Sequence, residues 1–362
     1  MNVLSSVVPG PCRPRLREGW NGLRFDRHLP REAVHKYADA EVLLTDAVRL
    51  GAARFAVAAL WPRDHHLGRR SAGAAADPVL MAETVRQTAI HLAHRFHGST
   101  YGHPFVLNDL AVDLDGALPA VGPDGLDVGL DLQSPPAVLR PGRERFALEG
   151  VAWAGHRPVG RVRMRWEVLE PARYALIRRR SAEAAAEPET APASTVVPEP
   201  RRVGQTADRD VLVAADPARA DRWWLRPFEG HPVLFDHPVD HVPGMVLLEA
   251  FRQAAASCGA GGAAGGLREI STGFTAFGEL TTPVAILAGP DGGGPPGCLR
   301  LTAVQDGRPI ATARVRMAPG AAGADEGGAR AADDGAARPR ATGPHGTALH
   351  GTGIRGTAGA AW

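Results

Sequence analysis

The sequence predicts an α+β protein built from two copies of one unit, in each of which an antiparallel sheet curls around a buried helix. Two repeats predict this architecture. Residues 83–87 and 249–253 both read Glu-x-x-Arg-Gln, and each follows an apolar run. Residues 157–164 and 308–317 both begin with Arg-Pro and end with Arg-Val-Arg-Met. Because the motifs recur in the same order, we interpret the chain as a duplication of a strand-helix-strand unit.

The helices are predicted from apolar stretches without internal breakers. Residues 79–95 contain neither Gly nor Pro and are apolar on most sides for four turns, which indicates a helix buried nearly all round. Residues 243–257 show the same pattern, beginning with Pro-Gly and ending before Gly259. Each helix is expected to lie at the centre of its unit.

The strands are predicted from alternating runs and from turn signals. Before the helices, residues 41–46 and 210–216 resemble each other less closely. After the helices come the runs 145–153, 159–168, 298–304 and 310–317, which are separated by Gly-containing turns near residues 155 and 307. These hairpins predict an antiparallel sheet in each half.

Three stretches contain few aromatic or β-branched residues and are predicted not to pack. They are a disordered N-terminus at residues 1–20, an Ala/Pro/Glu-rich linker at 181–204 and a disordered Gly/Ala/Arg tail at 319–362. The first unit is therefore expected at residues 21–180 and the second at 205–318.

Composition narrows the class of protein. The 362 residues are 44% hydrophobic, which is enough for two ordinary cores, but no run approaches the roughly 18 to 20 apolar residues of a membrane span. The three cysteines lack disulfide or metal spacing. The net charge is only +2, and Lys36 is the only lysine. We expect a cytoplasmic protein with no membrane or nucleic-acid partner.

The repeated helical motif supplies the candidate site residues. Glutamate, arginine and glutamine at positions i, i+3 and i+4 share one helix face. A buried ion must be paired, solvated in a cavity or matched to a ligand. A structural Glu-Arg pair remains an alternative, but a duplicated pair on a central helix favours function. The residues are Glu83, Arg86, Gln87, Glu249, Arg252 and Gln253.

A second group of candidates lies just before and at the start of the second helix. His231, His237 and His241 could shape the loop, line the active site or bind a metal, although their spacing does not complete a metal site. We expect no metal and no cofactor. The first N–H groups of the helix, near Gly244 and Met245, could polarise a thioester carbonyl. The first half has a poorer histidine segment, so the second half is the better candidate for an active unit.

Residues 243–250 resemble the hotdog hydroxyacyl-carrier-protein dehydratases in having Pro-Gly, four apolar residues, Glu and Ala. A wider match, over residues 34–46, 77–87 and 236–250, resembles the A-factor biosynthesis hotdog family and covers roughly residues 30 to 318. This resemblance implies a double hotdog fold. It also implies an acyltransferase that moves a β-ketoacyl group from acyl carrier protein to a hydroxyl of dihydroxyacetone phosphate, towards γ-butyrolactone signals.

The resemblance places the family's important positions on Glu83, Glu249 and Arg252. We expect Glu249, or Glu83, to act as general base with a pKa raised by apolar surroundings. Arg252 would pair with the phosphate or fix the Glu, and Arg86 and both glutamines, with His237 and His241, would contact substrate. Because no Gly-x-Ser-x-Gly or Cys/His nucleophile unit occurs, direct transfer without an acyl-enzyme is expected.

Two other classes of function remain open at this point. One is a dehydratase for 3-hydroxyacyl thioesters, although such an enzyme has little use for a buried cation at Arg252. The other is a non-catalytic acyl-binding or regulatory protein, in which the Glu-Arg pairs only stabilise the fold. The sequence also leaves open whether two chains form a homodimer.

Overall fold

The structure is a computed structural model that describes residues 20, 22–68, 75–183, 190–226, 230–259, 266–295, 297–318 and 360–361. Its helices are α1 (Pro78–His97), α2 (Pro171–Glu183) and α3 (Gly244–Ser257). Its strands are β1 (Leu44–Arg49), β2 (Arg54–Trp61), β3 (Phe105–Leu114), β4 (Leu126–Gln133), β5 (Val138–Arg140), β6 (Arg143–Ala154), β7 (Arg157–Leu169), β8 (Val213–Asp216), β9 (Arg219–Leu225), β10 (Leu267–Phe274), β11 (Ala285–Pro290), β12 (Cys298–Gln305), β13 (Arg308–Met317) and β14 (Ala360–Ala361).

The strands form one sheet whose two halves have the same order. The path is β1-β2-β4-β6-β7-β3-β10-β13-β12-β11-β9-β8, with β5 beside β6 and β14 beside β3. All these pairings are antiparallel. From the central β3–β10 pair outward, one half runs β3-β7-β6-β4-β2-β1 and the other runs β10-β13-β12-β11-β9-β8. In each half, the central helix follows the second strand in chain order and precedes the third. The strand order therefore repeats on the two sides of this pair, as a duplicated unit predicts.

Helix α1 is buried on nearly every side. Its residues are buried from Pro78 to His94 without interruption, as the absence of a polar face in the sequence predicted. The carboxylate of Asp77 accepts a hydrogen bond from the Val79 N–H at 2.9 Å and caps the N-terminus. The helix ends at Gly98, whose φ of 76° favours glycine.

Helix α3 begins differently. Pro243 occupies the N-cap position and provides no side-chain hydrogen bond to the helix. The residues from Gly244 to Ala255 are buried, so this helix is also central to its half. The two central helices thus differ at their N-termini, where α1 is capped by a carboxylate and α3 is not.

A short 3₁₀ turn precedes the first strand of each half and brings one polar side chain to the central helix. The turn Arg31–Val34 ends at His35 with φ 52°, and the turn Pro200–Val203 ends at Gly204 with φ 73°. Lys36 and Gln205 are the next residues, so they occupy equivalent positions in the two halves.

Several predicted boundaries differ from the observed elements. The predicted strands at 41–46 and 210–216 begin later, because residues 39–41 and 208–210 form 3₁₀ turns. The predicted linker, 181–204, is structured at both ends, since α2 continues to Glu183 and Val196 bridges Ala215. Most of the predicted disordered ends lies outside the described residues, although Trp20 is buried and β14 pairs with β3.

Within the described part of the chain, no helix has the length and apolar character needed to cross a membrane.

Candidate active site

The first polar centre is an ion-pair cluster on α1. Arg86 donates from Nε to Glu83 Oε2 and from Nη2 to Glu83 Oε1, both at 2.8 Å. Gln87 Nε2 donates to the same Oε1 at 2.9 Å, and Lys36 Nζ lies 3.2 Å from it. All four residues are buried. The predicted sharing of one helix face by the motif is confirmed, and Lys36 joins it from the preceding 3₁₀ turn.

The second centre, on α3, repeats this arrangement with one substitution. Arg252 donates from Nε to Glu249 Oε2 at 2.8 Å and from Nη2 to Oε1 at 2.5 Å. Gln253 and Gln205 donate to Oε1 at 2.7 and 2.6 Å. Gln205 therefore takes the place of Lys36. The first cluster combines two cations with one carboxylate, whereas the second combines one cation with one carboxylate.

The two motif glutamines hold the helices to the adjoining chain. Gln87 accepts from the Leu43 N–H at 2.9 Å and donates to the Glu41 carbonyl at 2.7 Å. Gln253 makes the same pair of bonds to Leu212 and Asp210, at 2.7 and 2.8 Å. With the bond to glutamate, both amide hydrogens of each glutamine are used. These bonds favour a structural role for Gln87 and Gln253 over the predicted contact with substrate.

The electrostatics of Glu83 also differ from the prediction. Burial, the largest influence, opposes ionisation, but the charges of Arg86 and Lys36 and the hydrogen bonds from Arg86 and Gln87 outweigh it, so the pKa is lowered. The predicted raised pKa is therefore wrong for this residue. A carboxylate held ionised by two cations is a poor base and a good anchor for those cations.

The first centre faces the N-terminus of α3 across a small cavity of about 30 Å³. Glu83 and Arg86 line one side, while His237, Gly244 and Met245 line the other. Among the described residues, no partner accepts a hydrogen bond from the Gly244 or Met245 N–H, because the first bond at this end runs from the Val246 N–H to the Pro243 carbonyl at 3.0 Å. Two residues whose backbone N–H groups have no described acceptor therefore line the same cavity as the buried cations Lys36 and Arg86.

His237 is a polar side chain that lies between this cavity and the surface. Its Nδ1 is buried and has no hydrogen-bond partner among the described groups. Burial, and then the charge of Arg86, lowers the pKa of His237, so the imidazole is neutral near pH 7. A neutral imidazole with an unpaired ring nitrogen can accept a proton.

A cleft of about 810 Å³ leads from the surface towards the cavity. Within the described chain, Lys36, His237 and Val239 line both spaces and so form their junction. His241 lines the outer cleft only, where its Nδ1 lies 2.5 Å from Asp240 Oδ1. The cleft gives the first centre a route to the exterior.

The second centre has a smaller polar cavity of about 20 Å³, which Glu249 lines together with Asp77 and Gln205. The facing helix N-terminus is that of α1, where Pro78 has no N–H and the Val79 N–H already donates to Asp77. Among the described residues, the start of α1 therefore offers no unpaired backbone N–H like those at the start of α3. Of the two glutamates predicted as the base, Glu83 lines the cavity of Gly244, Met245 and His237, and Glu249 lines this second cavity.

His66, Asp210 and His231 lie beside the second cavity, with one potential ligand atom from each within 4.8 Å of the others. His231 Nδ1 accepts from the backbone N–H groups of Val233 and Leu234 at 3.3 and 3.1 Å. The neutral ring then carries its hydrogen on Nε2, which leaves that atom no lone pair for a metal. Of the three roles considered for His231, these bonds favour the shaping of the loop.

The structure thus divides the predicted residues between two places. Glu83, Arg86, His237, Gly244 and Met245 meet in one cavity, while Glu249, Arg252 and Gln253 form the separate second cluster. Sequence reasoning did not assign Lys36 to the site. One signal in the sequence could have indicated it. Lys36 is the only lysine of the chain, and its segment is equivalent to the start of the second half.

Two half-sheets that each enclose a central helix, with a polar cavity where one half meets the other, define a hotdog protein. The chain belongs to the A-factor biosynthesis hotdog family, since the sequence profile of the A-factor biosynthesis hotdog domain matches residues 22–170 and again 185–319.

Similar curated proteins include 2-oxo-3-(phosphooxy)propyl 3-oxoalkanoate synthases of two Streptomyces species. The protein of Streptomyces virginiae is 37% identical over 230 residues, covering 63% of this chain and 76% of its own. That of Streptomyces griseus is 33% identical over 288 residues, covering 77% of this chain and 92% of its own. Among solved structures, the 12:0-ACP thioesterase from Umbellularia californica has a TM-score of 0.44 at 11% identity and covers 75% of this chain and 100% of that one.

Proposed function

We propose that this protein is an acyltransferase that joins a 3-oxoacyl (β-ketoacyl) group, supplied as a thioester, to the free hydroxyl of dihydroxyacetone phosphate. The name of the relatives describes such an ester, in which a 2-oxo-3-(phosphooxy)propyl group is bound to a 3-oxoalkanoate. The observation that carries the proposal is the cavity where the Glu83 centre faces the uncapped N-terminus of α3. It combines anion-binding cations, carbonyl-binding donors and a proton acceptor.

The thioester carbonyl binds at the N-terminus of α3. The unpaired N–H groups of Gly244 and Met245 and the positive end of the helix dipole stabilise the negative charge that develops on the carbonyl oxygen during attack. Such donors act strongly in a site that excludes water, and Gly244 and Met245 are both buried.

His237 serves as the general base. The neutral imidazole takes the proton of the acceptor hydroxyl, whose oxygen attacks the carbonyl carbon and forms the C–O bond. As the tetrahedral intermediate collapses, the C–S bond breaks and the imidazolium returns the proton to the departing thiolate. Glu83 positions Arg86 and Lys36, because both its oxygens are engaged and its pKa is lowered.

The acyl donor is proposed to be an acyl carrier protein, and the open cleft of about 810 Å³ supports delivery of a thioester from a large carrier. Because a phosphorylated acceptor does not cross a membrane unaided, the reaction is placed in the cytoplasm. The two hotdog units are proposed to span residues 21–180 and 205–318, which the repeated strand order supports. The molar mass of the protein in solution, measured by light scattering, tests whether two chains pair into a homodimer.

The test is a mass-spectrometric assay of purified protein with a 3-oxoacyl carrier protein and dihydroxyacetone phosphate. We expect the phosphorylated ester, or the butenolide formed from it, only when both substrates are present. Hydrolysis of the thioester without acceptor, or dehydration of a 3-hydroxyacyl thioester, would instead identify a thioesterase or a dehydratase. Binding of the thioester without any turnover would support the non-catalytic alternative.

A further inference from the structure

We propose that Lys36, together with Arg86, forms the subsite that binds the phosphate group of the acceptor. This inference rests on the proposed acyl transfer and assigns one part of its substrate to two named side chains. Lys36 Nζ lies 3.2 Å from Glu83 Oε1, while Arg86 bonds to both oxygens of the same carboxylate. Two buried cations therefore both contact this carboxylate.

The other half of the chain shows that the fold does not need a lysine at this position. Gln205 follows the equivalent 3₁₀ turn and donates to Glu249 Oε1 at 2.6 Å. A neutral amide thus supplies the hydrogen bond that completes a buried Glu-Arg pair. An ammonium group in the same place is costlier to bury than an amide, so the positive charge of Lys36 calls for an anion beyond Glu83.

Among the described residues, Glu83 is the one carboxylate within ion-pair distance of Lys36. The carboxylate of Asp236 also lines the cavity, but it accepts hydrogen bonds from the Tyr37 and Ala38 N–H groups at 2.8 and 3.3 Å. His35, the residue before Lys36, adds no charge near pH 7, because burial and the neighbouring His94 lower its pKa to about 3. Glu83 and Asp236 balance the charges of Lys36 and Arg86 overall, but among the described residues no carboxylate besides Glu83 lies within ion-pair distance of the Lys36 ammonium group.

The position of Lys36 suits a substrate that enters from the surface. The residue is 6% exposed, yet it lines both the inner cavity and the outer cleft. His237 lies at the same junction, and Gly244 lies further in. A phosphate held at Lys36 leaves the rest of the acceptor to extend towards His237, where its hydroxyl meets the acyl carbonyl. Hydrogen bonds between a cationic side chain and a phosphate are stronger than those to a neutral group, so they favour a phosphorylated acceptor over an unphosphorylated one.

The kinetic test compares two acceptors in Lys36→Gln, which copies the residue used by the other half. We expect KM for dihydroxyacetone phosphate to rise about 10- to 100-fold, because a charge-assisted bond to the phosphate is lost, and the preference for dihydroxyacetone phosphate over dihydroxyacetone to fall by a similar factor. Lys36→Arg should retain much of the preference for the phosphorylated acceptor. Gln205→Met removes the equivalent bond in the second centre and should leave the ratio of the two acceptors unchanged.

A binding measurement separates this subsite from the chemistry. Because Lys36 is the only lysine, protein labelled with ¹⁵N-lysine gives one lysine backbone amide signal in an NMR spectrum. Inorganic phosphate, and dihydroxyacetone phosphate more strongly, should shift this signal in a saturable way that equal chloride does not reproduce.

The outcomes distinguish the two claims. If the wild-type protein makes the ester but phosphate leaves the Lys36 signal unmoved, or if Lys36→Gln retains the wild-type preference for the phosphorylated acceptor, the subsite is overturned and the acyl transfer stands. If neither acceptor yields an ester while phosphate still shifts the signal, the proposed function fails and the anion site stands.

Discussion

Replacing Arg252 with methionine would leave Glu249 as a buried carboxylate without a cation. Glu249 is 3% exposed, and Arg252 donates to both its oxygens. The two amides that remain, those of Gln205 and Gln253, both bond to Oε1. Oε2 would therefore lose the one donor that the described residues provide.

The expected loss of stability follows from these contacts. Removing one partner of a buried ion pair costs about 3–5 kcal/mol of unfolding free energy. Since 1 kcal/mol corresponds to about 2–4 °C in the Tm of a domain of 150–250 residues, Arg252→Met should lower Tm by about 6 to 20 °C. Adding Glu249→Gln removes the stranded charge and should restore most of this loss, because neutral replacements of a buried pair are often nearly neutral in stability.

Thermal unfolding followed by circular dichroism provides the assay. If the Tm of the single variant stays within about 2 °C of wild type, or if the double variant is no more stable than the single one, the second centre is not a structural ion pair of this strength.

Two histidines at the cleft give pH-dependent predictions. Burial and the neighbouring His94 lower the pKa of His35 in the folded protein to about 3. Between about pH 6.5 and about pH 3, His35 is therefore protonated in the unfolded chain but not in the folded one. The free energy of unfolding should fall as the pH is lowered through this window, by at most about 1.4 kcal/mol per pH unit. His35→Asn, which tolerates the φ of 52°, should flatten Tm against pH in this window, and an unchanged slope would contradict the assignment. Burial and then Arg86 lower the pKa of His237, so the acid limb of kcat/KM should lie below about pH 6.5, and His237→Gln should abolish it and reduce kcat about 10²- to 10⁴-fold. A limb that persists would identify another base.

The duplicated architecture could be predicted because its signals are local. The two Glu-x-x-Arg-Gln motifs lie on helices, and the predicted ranges 79–95 and 243–257 fall within three residues of α1 and α3. Continuous apolar stretches predicted that both helices are buried, since a helix with no polar face must be enclosed. The hairpin after β12 was predicted correctly from Asp306-Gly307, whose φ angles of 51° and 70° suit a tight turn.

The assembly of the site could not be predicted, because it depends on long-range pairing. The pairing of β3 with β10 joins the two halves, and it decides which helix N-terminus faces which carboxylate. No residue near Glu83 in the sequence indicates that Gly244 will lie on the opposite side of the cavity. The error in the direction of the Glu83 pKa has the same origin. Its second cation, Lys36, lies 47 positions earlier and reaches the helix only through the fold of a short 3₁₀ turn.

The location of the chemistry can be tested with a matched pair of variants at Gly244. Gly244→Pro removes one N–H from the N-terminus of α3, and the ψ of 143° at Pro243 is compatible with a following proline. Gly244→Ala keeps the N–H while adding the same Cβ, which would lie 3.1 Å from Leu107 Cδ2. The alanine variant therefore controls for crowding.

Single-turnover transfer of a 3-oxoacyl group to dihydroxyacetone phosphate, followed by mass spectrometry, is the most direct measurement of the central claim. If the N–H of Gly244 stabilises the thioester oxygen, Gly244→Pro should slow transfer about 10²- to 10³-fold, while Gly244→Ala stays within a few-fold of wild type. Equal, near wild-type rates in both variants, with both proteins folded, would show that the acyl carbonyl is not held at the N-terminus of α3.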